Sequence, residues 1–134
     1  MATGSFVLRA LAFWVVLAIC GVANGFLRQL ILTPALGERI SRPLSGLTLI
    51  VLLYLATFLF LRLTGPAEHA SAYWIAGLLW VVLTVAFEIV LGTGMRMPFG
   101  ELLAAYDPRT GNLWLIDVLA ILLALPLLAR VAFR

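Results

Sequence analysis

Apolar residues fill four long stretches of this chain, and polar residues are concentrated between them. The stretches cover residues 6–27, 44–62, 72–91 and 112–131, and each has about the 20 residues that an α-helix needs to cross the hydrocarbon core of a bilayer. Two prolines mark predicted helix ends. Pro34 is expected to stop the first helix, and Pro43 suits the first turn of the second. We therefore predict four membrane-spanning helices in a single domain, residues 1–134.

The composition is that of a membrane protein. Of the 134 residues, 64% are hydrophobic and 11% are charged, whereas soluble domains have about 45–50% and 25%. The mean hydropathy is +1.15. Four spans leave only short connections, which excludes a soluble catalytic domain of ordinary size. The predicted fold is all-α, an antiparallel four-helix bundle in contact with membrane lipid.

Two of the predicted connections are longer than a tight turn requires. The first covers residues 28–42, and the third covers residues 93–111 and contains the segment FGELLAAY. In that segment Phe99, Leu102, Leu103 and Tyr106 share one side of a helix, which is typical of a short helix lying on the membrane surface. Such a helix would cover the neighbouring bundle end as a lid, although a solvated interfacial loop explains the same residues.

Polar residues converge on one end of the predicted bundle. Because consecutive spans alternate in direction, the end of the first and third spans and the start of the second and fourth share one membrane face, which we call the polar end. The residues placed there are Asn24, Arg28, Ser45, Thr48, Thr84, Glu88, Asn112 and Asp117.

Helical spacing aligns several of these residues with glycines. Thr84 and Glu88 continue a stripe that begins at Gly77, and Asn24 and Arg28 continue one that begins at Gly21. Small residues let membrane helices approach closely, and Gly21 and Gly25 have the matching four-residue spacing. Both stripes are therefore expected to face the bundle interior.

Glu88 is the most informative residue of the sequence. A carboxylate within a span costs roughly 2.5–3.5 kcal/mol on insertion, so it is expected to be paired, protonated or facing a polar cavity. We expect Arg28 as its ion-pair partner, with hydrogen bonds from Asn24 and Thr84. The candidate ligand-binding or proton site consists of Glu88, Arg28, Asn24, Thr84, Asp117 as a second acid, and Tyr106 in the lid. The alternative interpretation is that the same pair only fixes helix register.

Other chemistry has little support in the sequence. His69 and Cys20 are the single residues of their types, so neither a metal site nor a disulfide is expected. No zinc-protease or serine-hydrolase motif is present, and no cofactor is expected. The nine arginines are scattered singly, which argues against nucleic acid as a partner.

Two groups of residues form recognisable signatures. The first group consists of NGFLR at 24–28, TPALGE at 33–38 and LS at 44–45. The second consists of WVVLTVAFE at 80–88, Gly92, LLAAY at 102–106, and Gly111 with LW at 113–114. Together they resemble a family of small bacterial four-span membrane proteins of unknown function. The resemblance implies the four-helix fold and points to Asn24, Arg28 and Glu88. Members of that family carry arginine where this chain has Asn112, so no ionic role is expected there.

Three functions remain open from the sequence. The first is binding of a small polar or amphiphilic molecule, or of an ion, at the polar end. The second is a structural role, as an accessory subunit of a membrane complex or as a homo-oligomer. The third is a membrane-embedded acid–base enzyme that acts on a lipid-like substrate. The expected location is the bacterial cytoplasmic membrane, with both termini in the cytoplasm.

Overall fold

The computed structural model describes residues 2–94 and 114–133 of the chain. Their regular secondary structure is helical throughout, which confirms the predicted all-α bundle. The elements are α1 (Thr3–Leu27), a π-helical turn (Arg28–Leu32), α2 (Thr33–Leu36), α3 (Glu38–Thr64), α4 (Ser71–Gly94) and α5 (Trp114–Ala132). The predicted surface helix, Tyr106 and Asn112 lie outside the described residues.

The four long helices form a closed ring. Helix α1 packs against α3 and α4, and α5 packs against the same two helices. Consecutive long helices run in opposite directions, so α1 and α4 lie side by side and run parallel. Their register follows from two tryptophans, since the Trp80 indole contacts Ala10 and the Trp14 indole contacts Thr84.

Three segments of the described chain are long and apolar enough to cross a membrane: Thr3–Leu36, Arg39–Thr64 and Ser71–Leu91. Helix α5 has 19 described residues, which corresponds to about 28 Å of helix. Large apolar side chains are exposed along all four long helices, among them Leu8, Leu55, Val90 and Leu119. A surface of this kind is typical of membrane-spanning helices, because water would oppose its exposure.

The first connection differs from the prediction. Pro34 does not stop the first helix, because the π-helical turn precedes it and the Thr33 N–H bonds to the Arg28 carbonyl. This wider turn leaves room for a proline ring that would otherwise clash with the preceding turn. The chain reverses only at Gly37, where φ is +82°, and Pro43 lies inside α3 instead of in its first turn.

A cluster of aromatic rings fills the bundle end opposite the polar end. Phe6 lies 5.7 Å from Phe60 and 5.1 Å from Tyr73, and Phe60 lies 6.1 Å from Trp80 between ring centroids. Phe6 and Trp80 are fully buried, and the Trp80 indole donates a 2.7 Å hydrogen bond to the Ala10 carbonyl. We call this region, with Phe13, the aromatic end. It is a closely packed core.

Helices α4 and α5 are in close contact at Gly77. A Cβ atom at this position would lie 2.7 Å from the Leu122 carbonyl oxygen. Pro126 has no N–H to offer to that carbonyl, which lies four residues before it in α5. The Leu122 carbonyl oxygen, which receives no hydrogen bond from Pro126, therefore lies next to Gly77, which has no side chain to clash with it.

Candidate functional site

A cleft runs from the α1–α4 boundary into the middle of the bundle, and all four long helices contribute to it. It holds about 30 Å³ of free space, which is room for one or two water molecules. The lining residues are Trp14, Leu17, Ala18, Gly21 and Val22 of α1, Leu49 and Leu53 of α3, Thr84, Phe87 and Glu88 of α4, and Ile121 of α5.

The burial of the lining shows where the cleft opens. Leu49, Leu53 and Ile121 of α3 and α5 are buried. The lining residues of α1 and α4 are mostly half-buried, and Val22 is exposed. The cleft therefore has its floor at the bundle centre and opens between α1 and α4.

Trp14 closes one side of the cleft. Its indole Nε1 donates a 3.1 Å hydrogen bond to Thr84 Oγ1, and its ring meets Phe87 edge-on with centroids 5.8 Å apart. The Thr84 hydroxyl thus joins α4 to α1 through Trp14, a residue that the sequence interpretation did not select. Phe87 is part of the apolar lining of the cleft.

Glu88 lines the cleft near the polar end. Arg28 is the charged residue that acts on it electrostatically, but the described structure contains no Glu88–Arg28 contact within the 4.0 Å of an ion pair. The expected close pair is therefore not formed, because α1 carries Arg28 past the level of Glu88 and into the π-helical turn.

Asn24 is held by α3 and not by Glu88. Its Nδ2 donates to the Ser45 carbonyl at 3.0 Å and to Ser45 Oγ at 2.8 Å. The side chain is only 5% exposed, and its Oδ1 atom has no hydrogen-bond partner among the described residues. Asn24 therefore ties α1 to α3 while keeping one acceptor unused.

Asp117 is the second acid of the polar end. It is 3% exposed, and its Oδ1 atom has no partner in the described part of the chain. It lies in the first turn of α5, where the helix dipole favours a negative charge. Asp117 is one helical turn from Ile121 and so borders the cleft without lining it.

The two glycine stripes behave differently. Gly77 makes the predicted close helix contact, whereas a Cβ atom on Gly21 or Gly25 would meet no atom within 4 Å. The expectation of close packing along the α1 stripe is therefore wrong for the described structure. Gly21 instead borders open space and widens the cleft.

Comparisons with protein-family models, curated proteins and solved structures gave no match to this chain. The resemblance to small bacterial four-span proteins stays a prediction. Among the described residues, no group of three histidine, cysteine, aspartate or glutamate side chains is arranged to hold a metal ion.

Proposed function

We propose that this chain is an integral membrane protein that binds a small polar or amphiphilic molecule, or an ion, in the cleft at its polar end, with Glu88 as the principal polar contact. A bacterial cytoplasmic membrane with cytoplasmic termini is the location proposed with it. The resemblance supports the bacterial origin.

The observation that carries this proposal is the position of the Glu88 carboxylate. It lines a cleft between apolar helices and lacks a direct ion-pair partner in the described structure. An ionisable residue within a membrane span that faces a cavity is by default a functional group, because its burial is costly. A purely structural carboxylate would be expected to have a close partner.

The proposal is tested by native mass spectrometry of the protein released gently from its own membranes. We expect a monomer or homo-oligomer that carries a small-molecule adduct, and we expect the adduct to disappear in Glu88→Gln. The matched control is Glu68→Gln, because Glu68 is an exposed acid in the α3–α4 loop and its replacement should leave the adduct in place.

The outcome also separates the remaining functions. A stoichiometric protein partner that stays bound in Glu88→Gln, without any small-molecule adduct, would contradict the proposal and favour an accessory subunit. The proposed topology is tested separately by reporter fusions at the C-terminus, where activity of a periplasmic reporter would reverse it.

A further inference from the structure

We propose that the cleft binds a single ammonium ion, NH₄⁺, with the Glu88 carboxylate and the Thr84 hydroxyl as its acceptors. This inference rests on the proposed function, since it names the ligand of the same cleft. It follows from the charge of the lining, the size of the free space and the number of oxygen atoms that the lining offers.

The charge of the cleft favours a cation. Of the described side chains that line it, only that of Glu88 carries a formal charge. Arg28 acts on this carboxylate electrostatically but is not within ion-pair distance. A second acid, Asp117, precedes the lining residue Ile121 by one helical turn. A carboxylate among apolar side chains is stabilised by a counter-ion in direct contact, because the pair as a whole is neutral.

The size of the free space favours a cation without organic substituents. The cleft holds about 30 Å³ of free space, which accommodates one or two water-sized groups. The ammonium ion is about as large as a water molecule, so this space is sufficient for it. A tetramethylammonium ion is several times larger than a water molecule, and a long alkyl chain also exceeds the space.

The small number of oxygen atoms in the lining favours ammonium over a metal cation. Glu88 and Thr84, one helical turn apart on α4, are the lining residues whose side chains carry oxygen. Thr84 Oγ1 accepts the hydrogen bond of the Trp14 indole and has a second lone pair for another donor. A metal cation such as Ca²⁺ takes about six to eight oxygen ligands. Ammonium needs one acceptor for each N–H, and a water molecule in the remaining space can serve as one of them.

The test is a titration of the protein in phosphatidylcholine nanodiscs, whose lipids carry no net charge. Choline chloride keeps the ionic strength constant, because the choline cation is too large for the cleft. Binding of ammonium, rubidium, sodium and tetramethylammonium, each added as its chloride, is followed by tryptophan fluorescence, to which Trp14 in the cleft lining contributes. Rubidium is the matched probe, because it has nearly the radius of ammonium but no N–H to donate.

We expect ammonium to bind about tenfold more tightly than rubidium or sodium, the factor that roughly corresponds to one charge-assisted hydrogen bond. Tetramethylammonium should not bind, because it exceeds the free space. Glu88→Gln should weaken ammonium binding by about tenfold or more, since the negative charge is lost. Glu68→Gln is the matched control, because Glu68 is an exposed acid in the α3–α4 loop, and it should bind ammonium as the wild type does.

A second variant tests the location without changing the carboxylate. Gly21 lines the cleft, and a Cβ atom there would meet no atom within 4 Å, so Gly21→Leu places a side chain in the free space. It should weaken ammonium binding by about tenfold or more, because the space is only about as large as one or two water molecules. Gly25→Leu is its matched control, because Gly25 also borders open space but does not line the cleft, and it should bind as the wild type does.

Each other result has one meaning. Equal binding of ammonium and rubidium, or tighter binding of sodium, would overturn the ammonium ion, and the proposed function would stand if that binding still required Glu88. Ammonium binding that is unchanged in Glu88→Gln or in Gly21→Leu would overturn the inference, because the ion would then bind elsewhere. Absence of a response to every cation would overturn it too, and the adduct experiment above would then decide the proposed function alone.

Discussion

The two ends of the bundle are built from the same four helices but are held together in different ways. At the aromatic end, rings from α1, α3 and α4 interlock around the fully buried Trp80. At the polar end, a cleft separates α1 from α4, and buried oxygens of Asn24 and Asp117 have no partner among the described residues. Aromatic rings fill the first end, whereas the second combines open space with unpaired oxygens that a bound molecule can contact. A third unpaired buried oxygen of the described chain, Thr57 Oγ1, lies on α3 one turn before Phe60.

Replacement of Trp80 should have the largest effect on stability. Trp80→Ala leaves a cavity among Phe13, Phe60 and Ala10 and removes the indole hydrogen bond. We expect a loss of about 3–5 kcal/mol in the free energy of unfolding, measured by titration from mild detergent into sodium dodecyl sulfate. Trp74→Ala is the control, because Trp74 is 47% exposed and should change little. Similar losses in both variants would contradict a closely packed core around Trp80.

The second-largest loss of stability is expected at the contact between Gly77 and α5. Gly77→Ala forces a methyl group against the Leu122 carbonyl, so the two backbones must separate, at a cost of about 1–3 kcal/mol. In Gly25→Ala the methyl group meets open space, and alanine is the better helix former. We expect the first variant to unfold earlier than the wild type and the second to unfold no earlier, in the same titration. An unchanged Gly77→Ala would show that the helices are not in close contact there.

A smaller effect is expected from the link between α1 and α3. Asn24→Ala removes both hydrogen bonds to Ser45, and interhelical hydrogen bonds in membranes contribute about 0.6 kcal/mol each on average. The expected loss is therefore about 1 kcal/mol. Ser45→Ala keeps the bond to the backbone carbonyl and should cost about half as much. If the two variants lost equal amounts, the carbonyl bond would have no stabilising role.

A small change in the opposite direction, toward higher stability, is expected at Asp117. Asp117→Asn replaces a buried carboxylate that lacks a partner at one oxygen with a neutral group of nearly the same shape. We expect stability equal to the wild type or higher by up to about 1 kcal/mol, because the cost of burying the charge is removed. A marked loss in the unfolding titration would show that Asp117 is paired in the folded protein.

Sequence periodicity was sufficient to predict the number and order of the long helices, but not all of their ends. Helix α3 begins at Glu38, six residues before the predicted start, because its first residues are polar and extend the helix beyond the apolar stretch. The prediction also treated Pro34 as a stop, whereas a π-helical turn accommodates it. Such a turn depends on local backbone geometry, about which the hydrophobic pattern gives no information.

The candidate site was predictable in its residue types and less so in its contacts. The cost of burying a carboxylate identified Glu88, and helical spacing placed it near Thr84. Trp14 was missed because its bond to Thr84 depends on α1 and α4 being parallel neighbours in the ring, an arrangement that chain order does not determine. For the same reason, Gly21 and Gly77 look alike in sequence, although one borders open space and the other a backbone carbonyl.

The central claim is that the polar end holds a binding group and not a structural ion pair. The most direct measurement is the free energy of unfolding of Glu88→Gln, in the detergent titration and without added ligand. The account predicts a value within about 0.5 kcal/mol of the wild type or above it, because no close partner is lost. A loss of about 3–5 kcal/mol, as when one member of a buried ion pair is removed, would contradict it.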